Sequence, residues 1–468
     1  MVVAHHQALS RRTFLGGTGL SALSLAVLLR QSAHAGAATT GSASTIDLPS
    51  GAGTLGQGEF QLFAADDLNF QTLIALGGAG INSAVGEVIT AVNQANAAAG
   101  GASYQSVYDA MIATGNRMVE AADDAAKRKK SITARDRYLR AAQYYNQALF
   151  WVLGTSTPGA EADVYRAMDD AWVQAAKRMK PAWEPMTVRY GESDLPAWFL
   201  RAPGASGRRP TLIMNNGSDG QNVDMLAQGG AAALARGWHV VVFEGPGQGA
   251  MLFERKVPFT PDWHEVVSAV LDATVQRNDV DPKRVALIGV SFGGLLVTRA
   301  VAFEHRLAAV VSDPGSVDTF RAFPDSLQQI AAAGPKDVVN GIWNQDVVPG
   351  ADPSQAFSLK KRLEIFSTEA LDEARAGRIP SDWYGLAQAI KAFTLGDLVD
   401  KVKTPTLVVD YELETFYPGQ AQELYDALPR EKDYVKFTVV QGAQYHDAPI
   451  GSQWHGEVVM DWLQDHVD

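Results

Sequence analysis

A serine between two glycines is the residue of this chain with the clearest chemical meaning. Gly289, Ser291 and Gly293 form a Gly-x-Ser-x-Gly pattern that joins an apolar run to a helical pattern. This placement is typical of a nucleophile elbow, a tight turn that lifts the serine hydroxyl above a sheet. The following helix points its positive N-terminal end at the site, where it favours developing negative charge. The pattern predicts that Ser291 attacks a carbonyl carbon.

A serine hydroxyl is a weak nucleophile at neutral pH, so it requires a base. In sheets that carry a nucleophile elbow, the acid and then the histidine follow the serine along the chain. His446 stands in the loop QGAQYHDAP, directly after the last apolar run that reads as a strand. We therefore predict His446 as the base. The remaining histidines after the serine precede a strand or lie in the C-terminal helical pattern: His305, His455 and His466.

The histidine requires an acid that orients it. The segment TLVVDYELETFYPGQ offers Glu414, which lies in the loop past a predicted strand and four residues before Pro418. Asp410 at the end of that strand and Asp313 after the preceding strand stay open, although acids at strand ends also cap adjacent helices. We predict Glu414 as the acid, with Asp410 as the first alternative.

Attack on a carbonyl leaves negative charge on its oxygen, which requires backbone N–H donors aimed at that oxygen. We expect one donor from Phe292, the residue after the serine. We expect the second from the loop Asn216-Gly217-Ser218-Asp219-Gly220, which follows the apolar run PTLIMNNG. Ser218 is the predicted donor, and its neighbours Gly217 and Asp219 stay open.

The elements that position these residues follow from a change in hydrophobic period. Apolar residues recur at helical spacing from about residue 60 to 185 and with a period of 2 from Met186 onward. Strand patterns that alternate with helical patterns favour a mostly parallel sheet covered on both faces. We predict an α/β fold with an eight-stranded, mostly parallel sheet. The predicted strands are MTVRYGES, LPAWFLRAP, PTLIMNNG, HVVVFEGP, RVALIGVS, LAAVVSDPG, PTLVVDYE and VKFTVVQG.

These patterns divide the chain after residue 35 into several predicted segments. Residues 36–58, rich in Ala, Gly, Ser and Thr, are a flexible linker, and residues 59–185 are an all-helical domain. Residues 186–315 and 404–468 form the two parts of the sheet domain. Residues 316–403 are a helical insertion, a lid above the edge of the sheet where ligands bind in open α/β folds. The lid is rich in aromatic residues: Trp343, Phe357, Phe366, Trp383, Tyr384 and Phe393.

Residues 1–35 resemble a twin-arginine export signal. The pair Arg11-Arg12 precedes an apolar run from Phe14 to Leu29, and small residues around Ala35 match an A-x-A cleavage site. The run is shorter than the ~20 residues that a membrane span needs, which disfavours a membrane anchor. We expect the twin-arginine translocase to export the chain to the periplasm or the cell exterior. Whether the signal is cleaved stays open.

Composition narrows the range of partners. The net charge of −12, from 52 acidic and 40 basic residues, disfavours nucleic acid as a partner. The chain has no cysteine, which excludes disulfides, thiolate catalysis and cysteine-bound zinc. The run EGPGQG lacks the Gly-Lys-Ser/Thr ending of a phosphate-binding loop, and we predict that it lines the pocket floor. No histidine–carboxylate cluster has metal-ligand spacing, so we expect neither a metal nor another cofactor.

In their chain order, these motifs resemble the alpha/beta hydrolases that carry an N-terminal helical domain. That group includes dihydropseudooxynicotine hydrolase and the fungal hydrolases that shorten polyketides. The resemblance covers about residues 60 to 465 and implies an α/β-hydrolase fold with Ser291, Glu414 and His446 as the triad. The group often has Asp at the acid position, and its known members are mostly intracellular. The matching segments are ARDRYLRAAQYYNQALFW, PTLIMNNGSDGQ, FEGPGQGAML, PFTPDWHEVV, VDPKRVALIGVSFGG, FEHRLAAVVSDPG and YPGQAQELYDAL.

We therefore expect an exported enzyme that cleaves a small apolar or aromatic substrate through an acyl-enzyme. On the basis of the resemblance, we expect the cleaved bond to be a carbon–carbon bond beside a ketone, and an ester bond is the second choice. A simple carboxylesterase or peptidase-like hydrolase is the alternative. A non-catalytic binding protein that uses the helical domain is the alternative of another class, and a complete triad in the expected order argues against it. Homodimer formation stays open.

Overall fold

The structure is a computed structural model that describes residues 61–467, with an eight-stranded sheet at its centre. The predicted export signal and the whole of the predicted linker lie outside the described residues. The strands are β1 (Glu184–Tyr190), β2 (Ser193–Leu200), β3 (Arg209–Asn215), β4 (His239–Phe243), β5 (Val280–Val290), β6 (Ala309–Asp313), β7 (Thr406–Tyr411) and β8 (Lys432–Phe437).

The order of strands across the sheet is β1-β2-β4-β3-β5-β6-β7-β8. The pairs β1–β2 and β2–β4 are antiparallel, and every other pair is parallel. The inner strands β4, β6 and β7 are buried at every residue, which is why their sequences are nearly continuous apolar runs. The predicted eight-stranded, mostly parallel sheet is confirmed.

Because parallel strands end at the same edge of a sheet, the loops after β3, β5, β7 and β8 meet there. The structure corrects one of these strand ends. β8 ends at Phe437, and the apolar residues of the predicted strand VKFTVVQG continue into a short 3₁₀ turn, Val439–Gln441. The side chain of Gln441 accepts a hydrogen bond from the backbone N–H of Thr438, and Val440 is 73% exposed. Local capping therefore overrides the alternating pattern.

Helices dominate the described residues before the sheet. They are α1 (Asn69–Gly77), α2 (Val85–Asn96), α3 (Tyr104–Lys127), α4 (Ser131–Trp151) and α5 (Glu161–Ala176). α4 packs between α3 and α5, and it buries Tyr144 and Trp151 completely. β1 starts at Glu184, two residues before the predicted change of period at Met186.

The remaining helices cover the sheet or form the segment between β6 and β7. Those that follow strands are α6 (Ala231–Ala235), α7 (Gly249–Phe253), α8 (Trp263–Val275) and α9 (Phe292–Val301). The segment between β6 and β7, here called the lid, contains α10 (Asp325–Ala331), α11 (Lys336–Ile342), α12 (Pro353–Leu363), α13 (Thr368–Arg375) and α14 (Trp383–Lys391). α15 (Gln420–Ala427) and α16 (Ser452–Val467) follow β7 and β8. Within residues 61–467, no helix combines the length and the apolar character that crossing a bilayer demands.

Candidate active site

Ser291 occupies a strained turn between β5 and α9. Its backbone has φ 59° and ψ −126°, a region that side-chain-bearing residues adopt at a cost of about 1–3 kcal/mol. A Cβ atom at position 289 would lie 2.1 Å from the carbonyl oxygen of Gly293. A Cβ atom at position 293 would lie 2.8 Å from the carbonyl oxygen of Asn215. The two glycines are therefore required by sterics, and the turn presents a partly accessible serine at the carboxyl edge of the sheet.

His446 lies in the loop between β8 and α16, and it bridges the two other predicted triad residues. Its Nδ1 lies 2.7 Å from Glu414 Oε2, and its Nε2 lies 2.9 Å from Ser291 Oγ. The backbone N–H of Leu413 donates to the carbonyl oxygen of Gln444 and so ties the loops after β7 and β8 together. With Nδ1–H donating to the carboxylate, Nε2 of the neutral imidazole can accept the serine proton.

Backbone N–H groups of its own loop hold the Glu414 carboxylate in place, and together with His446 they favour its charged form. Its Oε1 accepts backbone N–H groups from Phe416 at 2.7 Å and Tyr417 at 3.0 Å. Burial opposes the charged form, but His446 and these two N–H groups outweigh it and hold the pKa of Glu414 below its usual value. The carboxylate can therefore orient the imidazole without taking its proton.

The alternative acids are engaged elsewhere. Asp410 accepts a hydrogen bond from the hydroxyl of Tyr434 at 2.6 Å. Asp313 Oδ2 lies 2.7 Å from Nε2 of His455, a buried histidine on α16. The geometry thus brings Glu414, rather than Asp410 or Asp313, to Nδ1 of His446.

The loop that carries the predicted oxyanion donor Ser218 lies against the nucleophile elbow. A Cβ atom at Gly217 would lie 3.3 Å from the backbone nitrogen of Phe292, the other predicted donor, so the two backbone segments are adjacent. The N–H of Gly217 already donates to the side chain of Asn216 at 2.8 Å. This hydrogen bond disfavours Gly217 as the second donor, and Ser218 stays the prediction.

Gln248 holds this loop in place, and the sequence did not single it out. Its Nε2 donates to the carbonyl oxygens of Asn216 at 2.7 Å and Gly217 at 2.9 Å. Its Oε1 accepts the backbone N–H of Gly245 at 3.0 Å. Gln248 belongs to the glycine-rich run EGPGQG, so the available signal was a polar residue within a loop at the active edge.

Aromatic side chains from three parts of the chain lie beside His446 and beside Phe292, the neighbour of Ser291. The rings of Phe416 and Phe70 lie 4.5 Å and 6.3 Å from the His446 ring, centroid to centroid, and Phe70 belongs to α1. Phe366 and Phe393 of the lid pack against the ring of Phe292. The aromatic contacts to His446 and Phe292 therefore come from the helical region, the lid and the sheet domain.

The other large aromatics of the lid serve different contacts. Trp343 and Trp383 stack at 4.9 Å between centroids and are fully buried within the lid itself. Phe357 stacks on Tyr104 of α3 at 4.4 Å and so joins the lid to the helical region. Aromatic richness in the sequence thus reflects the lid's own core as well as its contacts with the site.

A buried ionic cluster connects the lid to the loop of Ser218. Lys361 Nζ lies 2.7 Å from Glu364 Oε1, 3.9 Å from Glu161 Oε1 and 4.0 Å from Asp219 Oδ1. Burial opposes the charged ammonium, but these carboxylates outweigh it and raise the pKa of Lys361. The cluster fixes the lid against α5 and beside the active edge.

Asp447 is a second carboxylate at the histidine, and it was missed in the sequence. Its Oδ2 lies 3.3 Å from Nε2 of His446, the same nitrogen that faces Ser291. The only local signal was its position directly after the histidine. Among residues 61–467, no group of three or more histidine, aspartate and glutamate side chains is arranged to hold a metal ion.

Comparisons with known proteins identify the family. The profile of Esterase FrsA-like proteins matches residues 104–342, and the profile of the Alpha/beta hydrolase family matches residues 226–460. The 20-hydroxy-prefusarin hydrolase FUS2 of Gibberella moniliformis is 28% identical over 373 residues, which cover 76% of this chain and 84% of that protein. Hydrolase LUC6 of Fusarium sp is 32% identical over 277 residues, which cover 56% of this chain and 63% of that protein.

A solved structure shares the fold. The 2,6-dihydroxy-pseudo-oxynicotine hydrolase aligns with a TM-score of 0.61 at 17% identity, over 85% of this chain and 96% of that chain. The predicted resemblance is confirmed by the profile matches, each of which spans just over half of the chain. The relatives are named as hydrolases, which supports an enzyme rather than a binding protein. This chain belongs to the alpha/beta hydrolase family.

Proposed function

We propose that this chain is a serine hydrolase that cleaves a small apolar ketone or ester through an acyl-enzyme. The observation that carries the proposal is the bridge made by His446, with Glu414 at 2.7 Å on one ring nitrogen and Ser291 at 2.9 Å on the other. Nucleophile, base and orienting acid stand in hydrogen-bond contact, which is the arrangement that nucleophilic catalysis by serine requires.

Acylation begins with three linked movements. The proton of Ser291 Oγ passes to His446 Nε2, Oγ bonds to the carbonyl carbon, and the carbonyl π electrons move to oxygen. The backbone N–H groups of Phe292 and Ser218 bind this oxyanion. Collapse of the adduct breaks the bond to the leaving group, which keeps the bonding electrons and takes the proton from Nε2.

Deacylation repeats the steps with water. His446 accepts a proton from water as the water oxygen attacks the acyl carbon, and Ser291 leaves with that proton. The products are a carboxylic acid and either an alcohol or a ketone, according to the bond cleaved. A carbon leaving group additionally requires that its electrons be delocalised into a neighbouring carbonyl or ring.

The aromatic walls favour a small apolar substrate. Phe70, Phe416, Phe366 and Phe393 lie around His446 and Phe292, and such surroundings favour rings and alkyl chains over polymers. FUS2 is named for 20-hydroxy-prefusarin and the solved relative for 2,6-dihydroxy-pseudo-oxynicotine, both of them small molecules. We favour a carbon–carbon bond beside a ketone, with an ester as the second candidate because the FrsA-like profile describes esterases.

Two measurements test this proposal. A fluorophosphonate probe is expected to label the purified protein, and Ser291→Ala is expected to abolish the label. Turnover is then measured on aryl β-diketones and on aryl esters of matched size. Absence of labelling contradicts the serine mechanism. Cleavage of esters alone, with long-chain esters as good as small ones, contradicts both the carbon–carbon preference and the preference for a small substrate.

We further propose that the chain is exported by the twin-arginine translocase. The support is the pair Arg11-Arg12 followed by Phe14 and Leu15, an apolar run and a small-residue site at Ala35. Residues 1–35 fused to a reporter protein are expected to direct it out of the cytoplasm. Replacement of both arginines by lysine is expected to retain the reporter, and continued export of that variant contradicts the proposal.

A further inference from the structure

Asp447 places a carboxylate where a serine–histidine–acid triad needs none. Glu414 lies at Nδ1 of His446, and Asp447 Oδ2 lies 3.3 Å from Nε2. Ser291 Oγ lies 2.9 Å from the same Nε2. The imidazole is therefore held between two carboxylates, and its reacting nitrogen faces both a hydroxyl and a negative charge.

The surroundings of Asp447 give its carboxylate no evident structural task. The residue is 9% exposed, and in the described part of the chain its Oδ1 is buried without a hydrogen-bond partner. Its backbone has φ 61°, a left-handed conformation that Asp and Asn tolerate better than most residues. A carboxylate that is buried, unpaired at one oxygen and close to a histidine at the other is positioned to act on that histidine.

Charged and titratable groups from several elements face this pair. Burial disfavours the imidazolium, but Asp447 and Glu414 outweigh it and raise the pKa of His446 to about 9. Burial, Asp313 and Glu414 raise the pKa of Asp447, although His446 acts in the opposite direction. The other groups are Asp313 at the end of β6, Tyr411 on β7, Tyr417 after β7 and His455 on α16.

We propose that Asp447 is a second proton-holding group of the catalytic site. Its carboxylate accepts the Nε2–H of the protonated His446, and it thereby sets the pH above which this histidine can take the proton of Ser291. Asp313 is a weaker candidate for this role, because it is already engaged by the hydroxyl of Tyr411 and by His455.

The sign of the effect follows from the charge of the imidazole. His446 must be neutral to accept a proton, so kcat/KM rises with pH until the imidazolium loses its own proton. The Asp447 carboxylate favours the imidazolium and therefore moves this rise to higher pH. In the wild-type enzyme the rise is expected near pH 9, well above the usual histidine value of about 6.5.

A titration that needs no turnover tests the proposal directly. Histidine labelled with ¹⁵N is followed by NMR in the Ser291→Ala protein, and the signal of His446 is assigned by its loss in His446→Gln. Asp447→Asn is expected to lower the pKa of His446 by about 1–3 units, the range for losing an opposite charge at this distance. Asp447→Gly, which tolerates the positive φ, is expected to do the same. An unchanged His446 titration in both folded variants overturns the proposal.

The kinetic test uses the protein with Ser291 intact and rests on the proposed function. Asp447→Asn is expected to move the rise of kcat/KM to lower pH by the same 1–3 units. Asp410→Asn, whose carboxylate contacts Tyr434 instead of His446, is the control and is expected to leave the rise unchanged. An NMR shift in a protein that the fluorophosphonate probe does not label supports this inference and contradicts the hydrolase proposal. Turnover with an unmoved rise contradicts this inference alone.

Discussion

Two histidine–carboxylate pairs lie near the carboxyl edge of the sheet. The distance from ring nitrogen to carboxylate oxygen is the same in both, but their surroundings differ. His446 and Glu414 are 2.7 Å apart, and His455 and Asp313 are also 2.7 Å apart. The second ring nitrogen of His446 faces Ser291 at 2.9 Å. The second ring nitrogen of His455 is buried and, among residues 61–467, has no hydrogen-bond partner.

The difference shows that the pairing itself does not decide what a histidine does. His455 and Asp313 are fully buried, and the hydroxyl of Tyr411 also donates to Asp313, so this pair joins α16 to β6 and β7. The pair of His446 and Glu414 lies in loops, where a partly exposed serine can reach it. The pair of His455 and Asp313 links chain segments, and the pair of His446 and Glu414 lies where the proposed function needs a proton acceptor.

The largest effect is expected from replacing Ser291, which faces the second ring nitrogen of His446. Ser291→Ala should lower kcat by about 10⁴ to 10⁶, the loss expected when a member of a triad is removed. Alanine fits the small space at the elbow and loses only the hydrogen bond to His446, so the melting temperature should change little. Turnover on the best ketone or ester measures the effect. A variant that keeps more than a tenth of wild-type kcat contradicts the role of Ser291.

The two carboxylates should separate clearly when each is converted to its amide. Glu414→Gln should lower kcat by about 10² to 10⁴, because the amide no longer stabilises the imidazolium or fixes its tautomer. Asp313→Asn should change kcat by less than about tenfold and lower stability instead, since it weakens a buried link between elements. Parallel rate and denaturant measurements on both variants test this contrast. The reverse ranking would exchange the functions of the two pairs.

The contrast also shows which contacts of the site could be predicted from the sequence and which could not. The contact of His446 with Ser291 and Glu414 was predictable because each residue lies at a strand end, in an order that the alternating strand and helix patterns reveal. The pairing of His455 with Asp313 joins residues 142 positions apart through the packing of a helix on the sheet. No local pattern encodes such a contact. Glu414 could be ranked above Asp410 from its position, but only side-chain geometry separates them.

Other failures have the same physical origin. Trp343 and Phe366 are both aromatic residues of the lid. Trp343 lies in the core of the lid, whereas Phe366 packs beside Phe292. Composition predicts that both are buried and does not predict against what. Asp447 was missed because a carboxylate beside a loop histidine usually faces solvent, and its burial depends on the left-handed turn that aims it inward.

Breaking the structural pair should affect stability with little effect on chemistry. His455→Leu leaves the buried Asp313 without one of its partners, which should cost on the order of 1–3 kcal/mol in the free energy of unfolding. kcat/KM should stay within about tenfold of wild type. Denaturant unfolding of His455→Leu, Asp313→Asn and the double variant measures the coupling. A double variant whose loss equals the sum of the single losses would show that the two side chains do not interact.

The smallest effect is expected at Asp410, and it separates a strand-end carboxylate from a catalytic one. Asp410 shares with Glu414 the carboxyl end of β7, but its side chain accepts the hydroxyl of Tyr434 and pairs with Lys436 at 2.9 Å. Lys436 is about half exposed, so water screens this pair and its contribution to stability is small. Asp410→Asn should therefore change kcat by less than about threefold, because the amide oxygen still accepts the tyrosine hydrogen bond and His446 keeps its own acid. The decisive comparison is the rate of this variant against that of Glu414→Gln on the same substrate. A loss at Asp410 as large as the loss at Glu414 would mean that the loop after β7 rearranges during catalysis and that Asp410 is the working acid.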